Sequence, residues 1–312
     1  MKKIIFILLF LLTSCGNKVY ENINLFYMDT YINIKIYENS NLKSDIEEIY
    51  SYYHKLTDRY NSYENVINVY YLNEILTENE YIEIDKNLYD ILILALQYSK
   101  DYEKFNIALA NPLDVWKNSK TLPTFEELSK KSYNINDLVL NNNKFMKKTD
   151  VKIDLGAIAK GYASEKVKEL LELKGYKKYL INAGGHVIAG SHYNNEKYKI
   201  GLEDPIEKNI YKIIKLTNKS VVSSGGYNRY YEFDNKKFSH IIDPETLYPK
   251  EDLLSVTVIT EDSIYADVLS TYLSLLSVEE GLEIVNNLDN VEAIFYLEKD
   301  NIKYSEGIKQ YE

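Results

Sequence analysis

Cysteine, tryptophan and proline are all scarce in this sequence. It has one cysteine, one tryptophan and five prolines in 312 residues. The single cysteine, Cys15, excludes an internal disulfide framework. Beyond the first dozen residues, no stretch approaches the 18 consecutive apolar residues of a membrane-spanning helix, so the rest of the chain is expected to be soluble. No internal repeat is present.

Basic residues are also in deficit, with 37 Lys and Arg against 47 Asp and Glu, for a net charge of −10. A nucleic-acid-binding protein usually has a basic excess, so nucleic acid is not expected as a partner. The chain is 45% hydrophobic and 27% charged, which is typical of a globular protein and not of a disordered one. Its length allows two domains or one large one.

The N-terminus has the pattern of an export signal. Lys2 and Lys3 precede the apolar run 4–12, and Leu12-Thr13-Ser14-Cys15 follows. This resembles a bacterial lipobox, in which the cysteine is lipidated. We predict a signal peptide at residues 1–14, a lipidated tether at 15–24 and the folded domain at 25–312, anchored to the extracytoplasmic face of the cell membrane. A plain secretory signal and a short membrane anchor are the alternatives.

Periodicity along the chain predicts helices and strands without a regular βαβ alternation. This favours an α+β fold, with a largely antiparallel sheet flanked by helices in a single domain. Strands are predicted at 25–37 and 147–154, and helices at 41–60, 87–102, 157–173 and 263–276. Thr124 and Glu127 form a capping box that opens another short helix.

Four segments combine residues that can bind an anion or a metal. In Asp154-Leu-Gly-Ala-Ile-Ala-Lys-Gly161, a carboxylate, a turn of small residues and a lysine precede a helix, an arrangement that offers N–H groups and a cation to an anion. Asn182-Ala-Gly-Gly185 permits close approach of the backbone to a ligand. Each segment also has an ordinary structural reading, as a strand–helix turn and as a tight hairpin.

The other two segments lie nearer the C-terminus. His240, predicted to lie in a strand before Asp243-Pro244, is a candidate general base. Asp267 and Thr271, spaced i and i+4 on a helix, offer the oxygen ligands that suit Mg²⁺. Taken alone, a structural histidine and an ordinary capped surface helix are the commoner explanations.

The joint order of these segments resembles the ApbE family of FAD:protein FMN transferases. The resemblance runs from Met28 to Leu276. Its anchors are Met28-Asp-Thr30, Ser62-Tyr63, Phe105-Asn106, Pro112-Leu113 with Trp116, the 154–163 and 182–185 segments, Ser224-Gly225 with Arg229, and the His240–Pro244 and Ala266–Thr271 segments.

The resemblance implies a Mg²⁺-dependent transfer of FMN from FAD to a threonine of a target protein, with release of AMP. The target would be an exported or membrane redox protein with a D-G-A-T-like segment, such as a subunit of an ion-pumping oxidoreductase. Asp267, Thr271 and the Ala157 carbonyl would hold Mg²⁺, and His240 would be the catalytic base. The FAD site would contain Met28, Tyr63, Phe105, Asn106, Asp154, Lys160 and the Ser255 backbone.

Four residues depart from the family pattern. Asp29 and Leu247 stand where glycine is usual, and Asn106 and His186 stand where Asp is common; no metal role is expected of His186. Two other readings stay open: a Mg²⁺-dependent FAD pyrophosphatase, which would release free FMN and AMP, and a non-catalytic flavin-binding lipoprotein. Covalent labelling of a target excludes the first, and release of AMP excludes the second.

Overall fold

The computed structural model of the protein describes residues 20–226, 229–250 and 253–312, so Cys15 and the predicted lipobox lie outside the described residues. The helices are α1 (Lys43–Thr57), α2 (Lys86–Asp101), α3 (Ala110–Asn118), α4 (Phe125–Leu128), α5 (Ala159–Leu173), α6 (Ser263–Leu273) and α7 (Val278–Asn286). The strands are β1 (Glu21–Tyr27), β2 (Thr30–Ile36), β3 (Ile82–Glu83), β4 (Leu138–Asn141), β5 (Lys144–Lys147), β6 (Tyr179–Ala183), β7 (His186–Ala189), β8 (Tyr198–Glu203), β9 (Ile210–Leu216), β10 (Lys219–Gly225), β11 (Tyr230–Phe233), β12 (Lys236–Ser239), β13 (Ser255–Thr260), β14 (Glu292–Glu298) and β15 (Asn301–Tyr304).

An eight-stranded sheet in the order β1-β2-β6-β7-β10-β13-β14-β15 forms the centre of the molecule. Every neighbouring pair in it is antiparallel. Helices α1, α2 and α5 share the main core with β1, β2 and β6, and α6 and α7 pack with β10, β13 and β14. This confirms the predicted α+β fold with a largely antiparallel sheet. Within the described ranges, no helix is long and apolar enough to cross a membrane.

The four longer predicted helices are confirmed as α1, α2, α5 and α6, and the capping box of Thr124 and Glu127 opens α4. The predicted strand 25–37 is wrong, because β1 and β2 form a hairpin that turns at Met28 and Asp29. Both turn residues have positive φ, 54° and 55°, a conformation that the sequence did not signal because glycine usually supplies it. Strand β1 also begins at Glu21, inside the segment predicted to be a tether.

Two smaller predictions are also corrected. The strand predicted at 147–154 is wrong, because β5 ends at Lys147. Lys152 makes an isolated parallel bridge with Leu109, and the Ile153 backbone is bonded by the Asn73 side chain. Asn73 Oδ1 accepts from the Ile153 N–H at 2.7 Å and its Nδ2 donates to the Ile153 carbonyl at 2.8 Å. His240 lies one residue beyond β12 and not within a strand.

Leu247 occupies a left-handed backbone conformation, with φ of 61°, at a position where glycine is usual in the family pattern. Its side chain is 0% exposed and packs in a cluster with Trp116. Left-handed backbone costs a residue with a β-carbon roughly 1–2 kcal/mol. Burial of the leucine side chain, worth about 1.5–3 kcal/mol, offsets that strain.

We predict that Leu247→Gly is at least as stable as Leu247→Ala, because both lose the buried side chain and only glycine relieves the left-handed strain. At the buried helical position Leu92 in α2, the order should reverse, with glycine about 1 kcal/mol less stable than alanine. Urea unfolding of the four variants measures both differences. A Leu247→Gly variant clearly less stable than Leu247→Ala would contradict the strain argument.

Candidate functional site

The N-terminal end of α5 meets the middle of α6 at an unusually short distance. Gly161 permits this approach: a β-carbon built on it would lie 3.0 Å from the Asp267 β-carbon and 3.1 Å from the Ser263 carbonyl oxygen. The sequence therefore brings the small-residue turn at 154–161 directly against the predicted metal-binding pair on α6.

Asp267 is a buried carboxylate, 2% exposed, at this helix crossing. Its Oδ2 accepts a hydrogen bond from the Gly161 N–H at 3.0 Å, and its Oδ1 lies 3.6 Å from the Lys160 ammonium nitrogen. Burial alone would raise the pKa of Asp267, but the Lys160 charge, the nearby His186 ring and the Gly161 N–H hold it below its ordinary value. The carboxylate is therefore ionised at neutral pH.

Two neutral oxygen atoms complete a candidate metal set. Gly161 is the third residue of α5, so its N–H has no acceptor within the helix and donates to Asp267 instead. The Ala157 carbonyl, two residues before α5, is the first neutral oxygen of the predicted set. The Thr271 hydroxyl donates to the Asp267 carbonyl at 3.2 Å, so its lone pairs remain free to accept. One carboxylate and two neutral oxygens suit Mg²⁺, which keeps few protein ligands. In the part of the chain that the structure describes, no group of three or more His, Cys, Asp or Glu side chains is placed to hold a metal ion.

His240 is held in one orientation by the backbone of Arg229. Its Nδ1 lies 2.9 Å from the Arg229 carbonyl oxygen. Because a carbonyl only accepts, Nδ1 carries the hydrogen and Nε2 keeps its lone pair. Burial lowers the pKa of His240 below the ordinary 6.5, in spite of the Arg229 carbonyl, and the charges of Arg229 and Lys160 lower it further. A neutral imidazole within electrostatic range of Lys160 is equipped to act as a base.

The Arg229 side chain connects this region to the β1–β2 turn. Its guanidinium donates to the Asp29 carbonyl at 3.2 Å. On the other side of the turn, the Met28 N–H donates to His54 Nδ1 at 3.4 Å, and His54 Nε2 lies 3.3 Å from the Tyr63 hydroxyl. Met28 and Tyr63, both predicted to line the FAD site, are therefore joined through His54.

Tyr63 is held more firmly by Asp58 than by the histidine. The hydroxyl donates to Asp58 Oδ2 at 2.8 Å. Burial and the Asp58 carboxylate raise the pKa of Tyr63 to about 12, so the hydroxyl stays protonated at neutral pH. Its ring is fixed in place at one end, which suits a side chain predicted to line the FAD site.

Asp154 has both carboxylate oxygens committed within the protein. Oδ1 accepts from the Gly156 N–H at 2.7 Å, and Oδ2 lies 3.2 Å from the buried Arg59 guanidinium, which also bonds Asp114. This carboxylate shapes the turn that carries Ala157 and Lys160. Its contribution to ligand binding is expected to be indirect.

The remaining predicted residues are Phe105, Asn106 and Ser255. Phe105 is 2% exposed in the main core, so its side chain cannot line an open site as predicted. The Asn106 side chain bonds the Ala108 N–H and the Tyr133 carbonyl, and it borders an open cavity of about 490 Å³ that does not include Lys160, His240 or Asp267. Ser255 is buried at the start of β13, so only its backbone can serve a ligand there.

Arg59 and His54 were not predicted as site residues from the sequence, and Arg229 appeared there only as an anchor of the family resemblance. Each makes its contact with a residue distant along the chain; Arg229 and Asp29, for example, are 200 residues apart. The sequence around Arg229 gave no indication of which residue it contacts.

The sequences of known proteins connect this site to a family. The model of the ApbE family matches residues 28–295. A FAD:protein FMN transferase of Haemophilus influenzae is 29% identical over 273 residues, covering 82% of this chain and 79% of that protein. One of Klebsiella pneumoniae is 38% identical over 161 residues, so the match spans 51% of this chain and about half, 49%, of that relative.

Solved structures share the fold. The ApbE protein of Thermotoga maritima matches with a TM-score of 0.84 at 26% identity, covering 94% of this chain and 99% of that one. The flavin transferase ApbE of Vibrio cholerae matches with a TM-score of 0.80 at 20% identity, covering 94% and 100%, a likeness of fold alone. The fold is the α+β fold of these ApbE structures. The chain belongs to the ApbE family, which confirms the resemblance inferred from its motifs.

We predict that Arg59→Met lowers the free energy of unfolding by about 2–4 kcal/mol, because it leaves two carboxylates beside an empty buried position. The matched control is Lys86→Met, which breaks the exposed pair of Lys86 and Asp90 and should cost about 0.5 kcal/mol or less. Chemical denaturation compares the two. Equal losses would mean that Arg59 does not hold the 154–161 turn.

Proposed function

We propose that this chain is a FAD:protein FMN transferase that moves FMN from FAD to a threonine of a target protein and releases AMP. Family membership and the named Haemophilus and Klebsiella relatives support the flavin transferase activity. The observation that carries the proposal is the buried, ionised Asp267, held by the Gly161 N–H and the Lys160 ammonium group of the first turn of α5. Such a site suits phosphoryl transfer, in which positioning and charge neutralisation supply most of the catalysis.

The residues around Asp267 would receive the pyrophosphate of FAD. Asp267 Oδ1, the Thr271 hydroxyl and the Ala157 carbonyl fit Mg²⁺, which would neutralise the pyrophosphate charge. Lys160, 3.3 Å from the Gly156 carbonyl, adds a fixed positive charge on the same side. An acidic chain of net charge −10 thereby acquires a locally cationic pocket for an anionic substrate.

His240 would supply the base. Nε2 takes the proton of the target threonine, whose oxygen forms a bond to the FMN phosphorus. The bond from that phosphorus to the bridging oxygen breaks, and AMP leaves with the oxygen. Because Nδ1–H is tied to the Arg229 carbonyl, Nε2 is the nitrogen that accepts the proton.

The proposed target is an exported or membrane-embedded redox protein with a D-G-A-T-like segment, such as a subunit of an ion-pumping oxidoreductase. We also propose that Cys15 is lipidated and anchors the chain to the extracytoplasmic face of the membrane. Glu21, where β1 begins, is six residues after Cys15, a span of at most about 21 Å. The domain would therefore stay close to the membrane, on the same side as its targets.

The proposal is tested by incubating the chain with FAD, MgCl₂ and a protein that carries a D-G-A-T-like segment. AMP is followed by chromatography and covalent flavin by in-gel fluorescence. AMP together with a fluorescent target band is expected, and Asp267→Asn should abolish both. AMP with free FMN and no labelled band across a panel of targets would instead indicate a pyrophosphatase. Flavin binding without AMP would leave a non-catalytic lipoprotein.

We predict that the acid limb of kcat/KM for flavin transfer has its midpoint below pH 6.5. The base must be neutral, and the pKa of His240 is lowered below the ordinary 6.5, so the neutral form predominates at pH 6.5. His240→Asn should reduce transfer by about 10²–10⁴-fold. The buried histidine control, His192→Asn, should leave the profile unchanged. An acid limb with its midpoint above pH 6.5 would contradict this role.

A further inference from the structure

His186, the first residue of β7, is a buried histidine with no hydrogen-bond partner. Its ring is 0% exposed, and in the described ranges neither ring nitrogen has a hydrogen-bonding neighbour. An unpartnered polar group in the interior is costly, so such a group in a folded protein calls for a specific explanation. Asn106, also at a departure from the family pattern, uses both of its polar atoms in hydrogen bonds.

The imidazole lies beside the one Asp267 oxygen that accepts no hydrogen bond from the backbone. Its Nδ1 lies 3.9 Å from Asp267 Oδ1, which also faces the Lys160 ammonium nitrogen at 3.6 Å, while Oδ2 is taken by the Gly161 N–H. A separation of 3.9 Å is too long for a hydrogen bond. Two neighbouring ligand atoms on one octahedral ion with bonds of about 2.1 Å lie about 3.0 Å apart. The pair can therefore share a cation once the two side chains move about 1 Å closer together.

The backbone fixes this placement. His186 pairs with Ala183 on one side and with Val222 on the other, inside the eight-stranded sheet. The turn before it is held by Gly184, where a β-carbon would lie 1.9 Å from the Thr30 hydroxyl oxygen, and by a hydrogen bond from the Gly185 N–H to Asn182 Oδ1. A ligand mounted on a central strand needs little reorganisation to bind.

We propose that His186 Nδ1 is a ligand of the cation held at Asp267, and that this makes the site selective for Mn²⁺ over Mg²⁺. The inference rests on the metal set of the proposed function and goes beyond it, because it replaces an all-oxygen site by a mixed nitrogen and oxygen site. It also reverses the expectation from the sequence that His186 has no metal role. An imidazole nitrogen favours a transition metal over Mg²⁺, which prefers oxygen ligands and sheds its water reluctantly. Among the transition metals, Mn²⁺ also suits the carboxylate and carbonyl oxygens of this site.

The test uses the full chain in detergent with MnCl₂, with and without FAD, and needs no turnover. Free Mn²⁺ is quantified by electron paramagnetic resonance, and MgCl₂ is added as competitor. Electron spin-echo envelope modulation then detects nitrogen bound to Mn²⁺. We expect a histidine nitrogen signal that disappears in His186→Asn and His186→Asp. The preference for Mn²⁺ over Mg²⁺ should fall in both variants by at least about tenfold, a usual scale for altered metal sites.

The controls separate this inference from the proposed function. His192→Asn, at a second buried histidine with an unpartnered Nδ1, should change neither the signal nor the preference. One outcome would overturn the role of His186 and leave the metal site of the proposed function intact. In that outcome, Asp267→Asn abolishes Mn²⁺ binding, His186→Asn leaves it unchanged, and no histidine nitrogen signal is seen. Absence of Mn²⁺ and Mg²⁺ binding, with and without FAD, would overturn both. Circular dichroism confirms that each variant is folded.

Discussion

The site depends on keeping the Asp267 carboxylate charged inside the protein. Removing a charge from water is costly unless it is paired and hydrogen-bonded, and here Lys160 and the Gly161 N–H do both. Gly161 permits the approach of α5 to α6, and its N–H, one of the unpaired donors of the first helical turn, binds the carboxylate. The glycine and the lysine of one short segment thus both serve one buried carboxylate.

Much of the fold could be predicted because hydrophobic periodicity reports burial. Helices α1, α2, α5 and α6 have a regular apolar face, and the strands of the central sheet alternate or are apolar throughout. The errors arose where side chains or unusual backbone replaced regular pairing. The hairpin turn at Met28 and Asp29 lacks glycine, and Asn73 satisfies the backbone of Ile153. Neither leaves a periodic trace in the sequence.

The sequence predicted which residue types form the site, and the structure showed which residues they contact. The structure places Lys160, Asp267 and Thr271 together, as their motif order predicted. Spacing along the chain could not show the two contacts of Arg229. Its carbonyl orients His240, and its side chain reaches the β1–β2 turn. Phe105 was misjudged because the sequence does not distinguish an aromatic residue that packs inward from one that meets a ligand.

The central claim is that Asp267 organises a cation and the pyrophosphate of FAD at the α5–α6 crossing. The most direct measurement is anomalous diffraction at the manganese absorption edge, from crystals grown with MnCl₂ and FAD. The account predicts one strong peak bonded to Asp267 and Thr271, next to the FAD phosphates. A peak elsewhere on the protein, or phosphates bound away from Lys160 and Asp267, would contradict it.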